Sequence, residues 1–157
     1  IARRAGVSSA LAHHYFGSKD EIFLAAMRHI LGQYGKAVRL GLAQAKGHRE
    51  RLSAVVRAGF SSENFHPEVV SAWLSFYVLA QSSDGARRLL SAYHRRLHSN
   101  LVHDLRPLCG VQAKGTAIRL AGLIDGMYLH AALNPEITGD IATGHVLRVL
   151  SNELRSS

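Results

Sequence analysis

The chain has 157 residues, 47% hydrophobic and 19% charged, a balance that suits a globular protein with a sizeable core and excludes a disordered segment. Nineteen Lys and Arg against 11 Asp and Glu give a net charge of +8, which favours a polyanionic partner such as nucleic acid, the alternative being an inert basic surface. The single cysteine, Cys109, excludes an internal disulfide and fits a reducing, cytoplasmic setting; no apolar run approaches the roughly 18 residues of a membrane span, and no signal peptide is visible behind Ile1.

No β-alternation persists, and helical spacing accounts for nearly every apolar run, so an all-α fold is expected. Ile1 to Arg4 reads as the end of a helix, Gly6-Val7-Ser8 as a turn, and Ser9 to Tyr15 as a short second helix ended by Gly17. Ser18-Lys19-Asp20-Glu21 then has the form of a capping box, in which Ser18 bonds the third amide and Glu21 reaches back.

A long helix follows, with Ile22, Ala26, Ile30, Tyr34, Val38 and Leu42 expected to form one apolar stripe and an end near Gly47. Leu52, Val55, Val56 and Phe60 mark another helix. Pro67 opens a third, which carries Val70, Trp73, Leu74 and Tyr77. Ser82 to Gly85 reads as a loop and cap. The stripe Leu90, Tyr93, Leu97, Leu101 and Leu105 marks a fourth helix, expected to stop at Pro107 and leave Cys109 as a structural residue in a loop. A last pair is expected over 112–133 and 138–154, split by Asn134-Pro135; the first member is apolar on most faces and needs cover on both sides, for which a second subunit is a natural source.

A helix, a short Gly-containing turn and a second short helix make a helix-turn-helix, whose second helix enters the DNA major groove. Ser8, Ser9 and Ala10 are small enough for close approach, and His13 and His14 can donate to base edges or phosphates. Tyr15 and Lys19, near a helix N-terminus, suit phosphate contact. On spacing alone, a plain helical hairpin remains the alternative.

Residues 1–8, Ile-Ala-Arg-Arg-Ala-Gly-Val-Ser, and 14–23, His-Tyr-Phe-Gly-Ser-Lys-Asp-Glu-Ile-Phe, resemble the signature of the TetR family of transcriptional regulators. The resemblance implies a DNA-binding head over residues 1–46 with its first helix and most of its second preceding Ile1, and a ligand-binding and dimerisation body over 47–157. It also implies phosphate contacts by Tyr15 and Lys19, with base contacts around Ser9, Ala10, His13 and His14. Trp73-Leu74-Ser75-Phe76, the run Arg95 to Val102, and Leu123 to Leu133 resemble the BetI-like betaine-synthesis repressors. That branch implies repression of genes converting choline to glycine betaine, relieved by choline or a related compound; a TetR-type regulator of efflux or of another pathway is the alternative, and a helical protein-interaction module without DNA binding is the alternative of a different class.

A quaternary ammonium is held by aromatic faces and a nearby carboxylate. Trp73 and Tyr77 share one helix face with Phe76 beside them, and Asp125 and Tyr128 share another, so these five are the candidate ligand residues; the alternative is that the rings are core and Asp125 pairs with an Arg or caps a backbone group. His94 and His98 have the i, i+4 spacing that can clamp zinc, but no Cys or acid joins them at ligand spacing, and a solvated basic face beside Arg95 and Arg96 explains them better, so neither a metal nor a cofactor is expected. No G-x-S-x-G, Gly-rich phosphate loop or paired carboxylates occur, and an enzyme is not expected. The partners expected are a double-stranded DNA operator bound by two heads about 34 Å apart, a small-molecule effector, and a second copy joined through a four-helix bundle of residues 112–133 and 138–155.

Overall fold

The computed structural model describes residues 18–155. Among the described residues, six α-helices run in order: α1 (Lys19–Gln44), α2 (His48–Gly59), α3 (Pro67–Ser82), α4 (Asp84–Cys109), α5 (Ala113–Leu133) and α6 (Gly139–Glu153), with one 3₁₀ turn at Gly110–Gln112. No strand occurs among the described residues. The helix-turn-helix reading, with Ser8, Ser9, Ala10, His13, His14 and Tyr15, lies outside them.

The expected capping box is present at the start of α1. The Ser18 amide donates to Glu21 Oε2 at 2.7 Å, and the Glu21 amide donates to Ser18 Oγ at 3.3 Å. Two N-terminal amides that the helix itself leaves without partners are thereby satisfied. The stripe along α1 differs from expectation. Leu24, Met27 and Val38 are its buried residues, and Ala26 is exposed. A strict four-residue repeat overshoots a full turn by about 40° per step, so from Ile22 to Leu42 it winds half-way round the helix and cannot stay on one face. Its two ends face different neighbours: Leu24 packs beside the first turn of α4, where a Cβ added to Gly85 would stand 3.1 Å from Leu24 Cδ1.

Two helix boundaries are also corrected. Ser82 to Gly85 is not a loop: α3 runs through Ser82, and Ser83 caps α4, its side chain accepting from the Ala86 amide at 3.3 Å. At the other end, α4 continues past Pro107, and Cys109 is a buried helical residue. Proline deletes one backbone donor, which the last turn tolerates because Leu105 and Cys109 are both held in the core. The chain breaks instead at Gly110, whose φ of 54° is the left-handed conformation that glycine takes without strain.

Helix α5 is central, packing on α3, α4 and α6, while α2 bridges α1, α4 and α6. The deepest side chains are Met27, Leu52, Phe76, Leu97, Leu101, Leu105, Leu120 and Val146, so every helix contributes to a single core. Gly139, at the start of α6, sits against the Phe60 carbonyl so closely that a Cβ would meet its oxygen at 2.2 Å; that approach seats α6 beside the end of α2.

Candidate effector site

Four of the rings or acids expected from sequence stand together. Trp73 on α3 lies 6.2 Å, ring centre to ring centre, from Tyr77 and 5.8 Å from Tyr128 on α5. His94 Nε2, on α4, is 3.1 Å from the Tyr77 hydroxyl and 3.4 Å from Asp125 Oδ2. Helical spacing explains the convergence: Trp73 and Tyr77 project from one face of α3, and Asp125 and Tyr128 from one face of α5. Phe76 has no accessible surface and backs Trp73 at 5.8 Å, so it shapes the cluster from the core side.

Two further rings complete the cluster, both absent from the sequence reading of the site. Tyr93 on α4 is 4.7 Å from Trp73 and 5.3 Å from His94, and Tyr34 on α1 meets Tyr93 edge-on at 5.8 Å. Both belong to apolar stripes that sequence marks as packing surface, and spacing within one helix does not reveal which neighbour a ring will face.

Tyr128 is anchored at its far end. Its hydroxyl donates to the Gly59 carbonyl, with the Asn64 carbonyl at 3.2 Å, and its ring packs edge-on to Phe65 at 4.8 Å. The α2–α3 connection therefore fixes the face that Tyr128 presents to Trp73. Asp125 is one-third exposed, on the rim beside Tyr77 and His94, rather than sealed inside. The arrangement is a wall of aromatic faces with one carboxylate at its accessible edge, the electrostatic pattern that favours a soft organic cation.

Burial, followed by the field of Asp125, raises the hydroxyl pKa values of Tyr34 and Tyr77 above the ordinary tyrosine value; for Tyr93 and Tyr128 burial leads, with neighbouring tyrosines and Asp125 adding to it. A tyrosine whose folded pKa is raised stays protonated while its unfolded counterpart ionises above about pH 10, so its contribution to stability is full below that pH and falls away as pH rises from there through the raised folded pKa. Phenolate absorbance at 295 nm is expected to appear for these four tyrosines together with loss of helical circular dichroism. Ionisation of all four at normal pH values with the helices intact would contradict the buried, acid-facing cluster.

His94 is held by Tyr77 and Asp125, and no group of three metal-ligating side chains occurs among the described residues. Lys19 is the first residue of α1 and is exposed at its positive end, the position expected for a phosphate contact. No helix among the described residues is long and apolar enough to cross a membrane.

The sequence matches two family descriptions: "Bacterial regulatory proteins, tetR family" over residues 1–26, and "BetI-type transcriptional repressor, C-terminal" over 48–156. The "HTH-type transcriptional regulator BetI" of Brucella suis is 46% identical over 138 residues, covering 87% of this chain and 70% of that protein. The Agrobacterium fabrum protein of the same name is 50% identical over 134 residues, covering 85% and 65% respectively. Among solved structures, a transcriptional regulator from Saccharomonospora viridis in complex with choline superposes with a TM-score of 0.82 at 23% identity, covering 96% of this chain and 82% of that one, which shows a shared fold. These relatives are transcriptional regulators and not enzymes, and the chain belongs to the BetI-type transcriptional repressors of the TetR family.

Proposed function

We propose that the protein is a cytoplasmic, dimeric repressor of choline-to-glycine-betaine genes, released from its operator when choline or a close quaternary ammonium binds among Trp73, Tyr77, Tyr93, Tyr34, Tyr128 and Asp125. The observation that carries this reading is the single carboxylate, Asp125, at the edge of a wall of aromatic rings drawn from α1, α3, α4 and α5. A trimethylammonium group has no hydrogen-bond donor, so ring faces and one counter-charge are the partners it needs. The Saccharomonospora viridis regulator, bound to choline on the same fold, supports that ligand class.

The head over residues 1–46 reads DNA through Ser8, Ser9, Ala10, His13 and His14, with Tyr15 and Lys19 on phosphates. Tyr34 ties the effector site to the head, because it sits on α1, the same helix that Lys19 begins. A ligand that binds better when Tyr34 and Tyr93 are spread shifts α1, and with it the spacing of the two heads, only in proportion to that preference. The test is a gel-shift titration of full-length protein on its operator. Choline is expected to release the complex, and Lys19→Ala to weaken it several-fold with a slope of log K against log salt reduced by about one unit. Operator binding indifferent to choline, betaine aldehyde and betaine would reject the choline reading.

Dimerisation through 112–133 and 138–155 is supported by an uncovered apolar face. Ile118 is 63% exposed and Leu133 78% exposed, with Leu129 between them on α5 and Ile141 on α6 also open to solvent. Along the same α5 face, a Cβ added to Gly122 or Gly126 would meet nothing within 4 Å. Residues 118, 122, 129 and 133 recur at helical spacing, as a bundle seam requires. Light scattering is expected to give twice the chain mass, and Ile118→Asp to give the single-chain mass. A monomeric wild-type protein at micromolar concentration would remove the bundle.

A further inference from the structure

We infer that the cleft between α1 and α4 is a second ligand site, one that takes an organic anion with an apolar body and holds its carboxylate between Arg39 and Arg96. The cleft is half open to solvent and has a volume of about 350 Å³, within the size range of small-molecule sites. Arg39 enters it from α1, and Arg96 and Asn100 enter from α4, where their i, i+4 spacing puts them on one face. Neither guanidinium pairs with a carboxylate among the described residues, unlike Arg51, Arg87 and Arg119, and the Asn100 amide has no hydrogen-bond partner there. Two cations and an amide with no acid among the lining residues attract an anion and repel a cation.

The remaining wall is apolar and aromatic. Leu31, Leu42 and Leu89 line it, and Tyr34 and Tyr93 close it toward the effector cluster. Space comes from Gly32 and Gly35 on α1. A Cβ at Gly32 would meet nothing within 4 Å, and one at Gly35 would touch only the Arg39 guanidinium, 3.4 Å away. A carboxylate bound there makes charge-assisted hydrogen bonds to both arginines while its hydrocarbon lies along the leucines. Asp125 does not line this cleft, so the two chemistries are separated: cation at the α5 edge of the cluster, anion at the α1–α4 mouth. The two sites share the Tyr34–Tyr93 wall, but the anion site rests on Arg39 and Arg96 and stands whether or not choline binds.

Octanoate below its micellar concentration is the probe, read by calorimetry and by the fluorescence of Trp73, the single tryptophan, which lies 4.7 Å from Tyr93. Saturable one-site binding is expected, weakening as salt is raised. Arg39→Gln with Arg96→Gln should weaken it at least tenfold. Gly32→Leu supplies a check free of charge effects: it replaces a helix-interior glycine, which favours the helix, and it fills the cleft. That variant should lose octanoate without a lower melting temperature. No saturable octanoate binding by wild-type protein, or equal affinity in the double-glutamine variant or in Gly32→Leu, overturns the site. Retained choline binding in the same samples separates this failure from any failure of the choline reading.

Discussion

Asp104→Ala is expected to lower folding stability by about 3 kcal/mol, the low end of the range for breaking a buried ion pair. Asp104 is 1% exposed on α4, and its Oδ1 accepts from Arg51 Nε and lies against His48 Nδ1, each at 2.8 Å. Both partners come from the first turn of α2, so one oxygen clasps the start of α2 to α4 just beyond the turn at Gly47. Alanine removes the acceptor and leaves Arg51 half-buried without an anion. Two facts keep the loss near the low end. Arg51 and His48 retain 30% and 42% exposure and can turn toward water, and Asp104 Oδ2 has no donor, a cost that the substitution relieves. Asp104→Leu separates the contributions, because it fills the same space with no charge to desolvate. Urea denaturation should rank wild type above Leu and Leu above Ala. Equal midpoints for wild type and Ala would mean that the clasp contributes nothing net.

Asp104 also shows what sequence could have revealed. It lies three residues beyond Leu101 and seven beyond Leu97, on the buried stripe of α4, and an acid on such a stripe demands a basic partner. Its presence in the stripe was legible; its partners were not, because His48 and Arg51 sit more than fifty residues away in sequence. Local chemistry behaved in the same way. Ser18 and Glu21 declared the start of α1 because both halves of the capping box lie within three residues. Pro107 misled because a proline signals a stop, whereas the burial of Leu105 and Cys109 that carries α4 past it is a tertiary effect.

The candidate effector cluster divides along the same line. Trp73 with Tyr77, and Asp125 with Tyr128, were legible as pairs on single helices, and the structure brings those pairs together. Tyr34 and Tyr93 were legible only as members of packing stripes. Their meeting at 5.8 Å depends on how α1 crosses α4, which no local pattern encodes. His94 followed suit: its spacing from His98 invited a metal reading, while its actual partners come from α3 and α5.

Asp125→Asn is expected to weaken choline binding about tenfold to thirtyfold while leaving the fold intact. A full charge about 5 Å from an ammonium contributes about 3 kcal/mol at an effective dielectric of 20, and the one-third exposure of Asp125 screens part of that, leaving about 1.5–2 kcal/mol. Asparagine keeps the shape and the capacity to accept from Tyr77 and His94, so the cluster's packing should survive and only the counter-charge should go. Calorimetry measures the affinity, and the melting temperature checks the fold. The comparison with Trp73→Leu separates charge from ring: losing the indole removes the aromatic face and also opens a cavity beside Phe76 and Tyr93, so affinity and stability should fall together. If Asp125→Asn binds choline as well as wild type does, the carboxylate is not the counter-charge, and the aromatic wall alone has to account for any cation it holds.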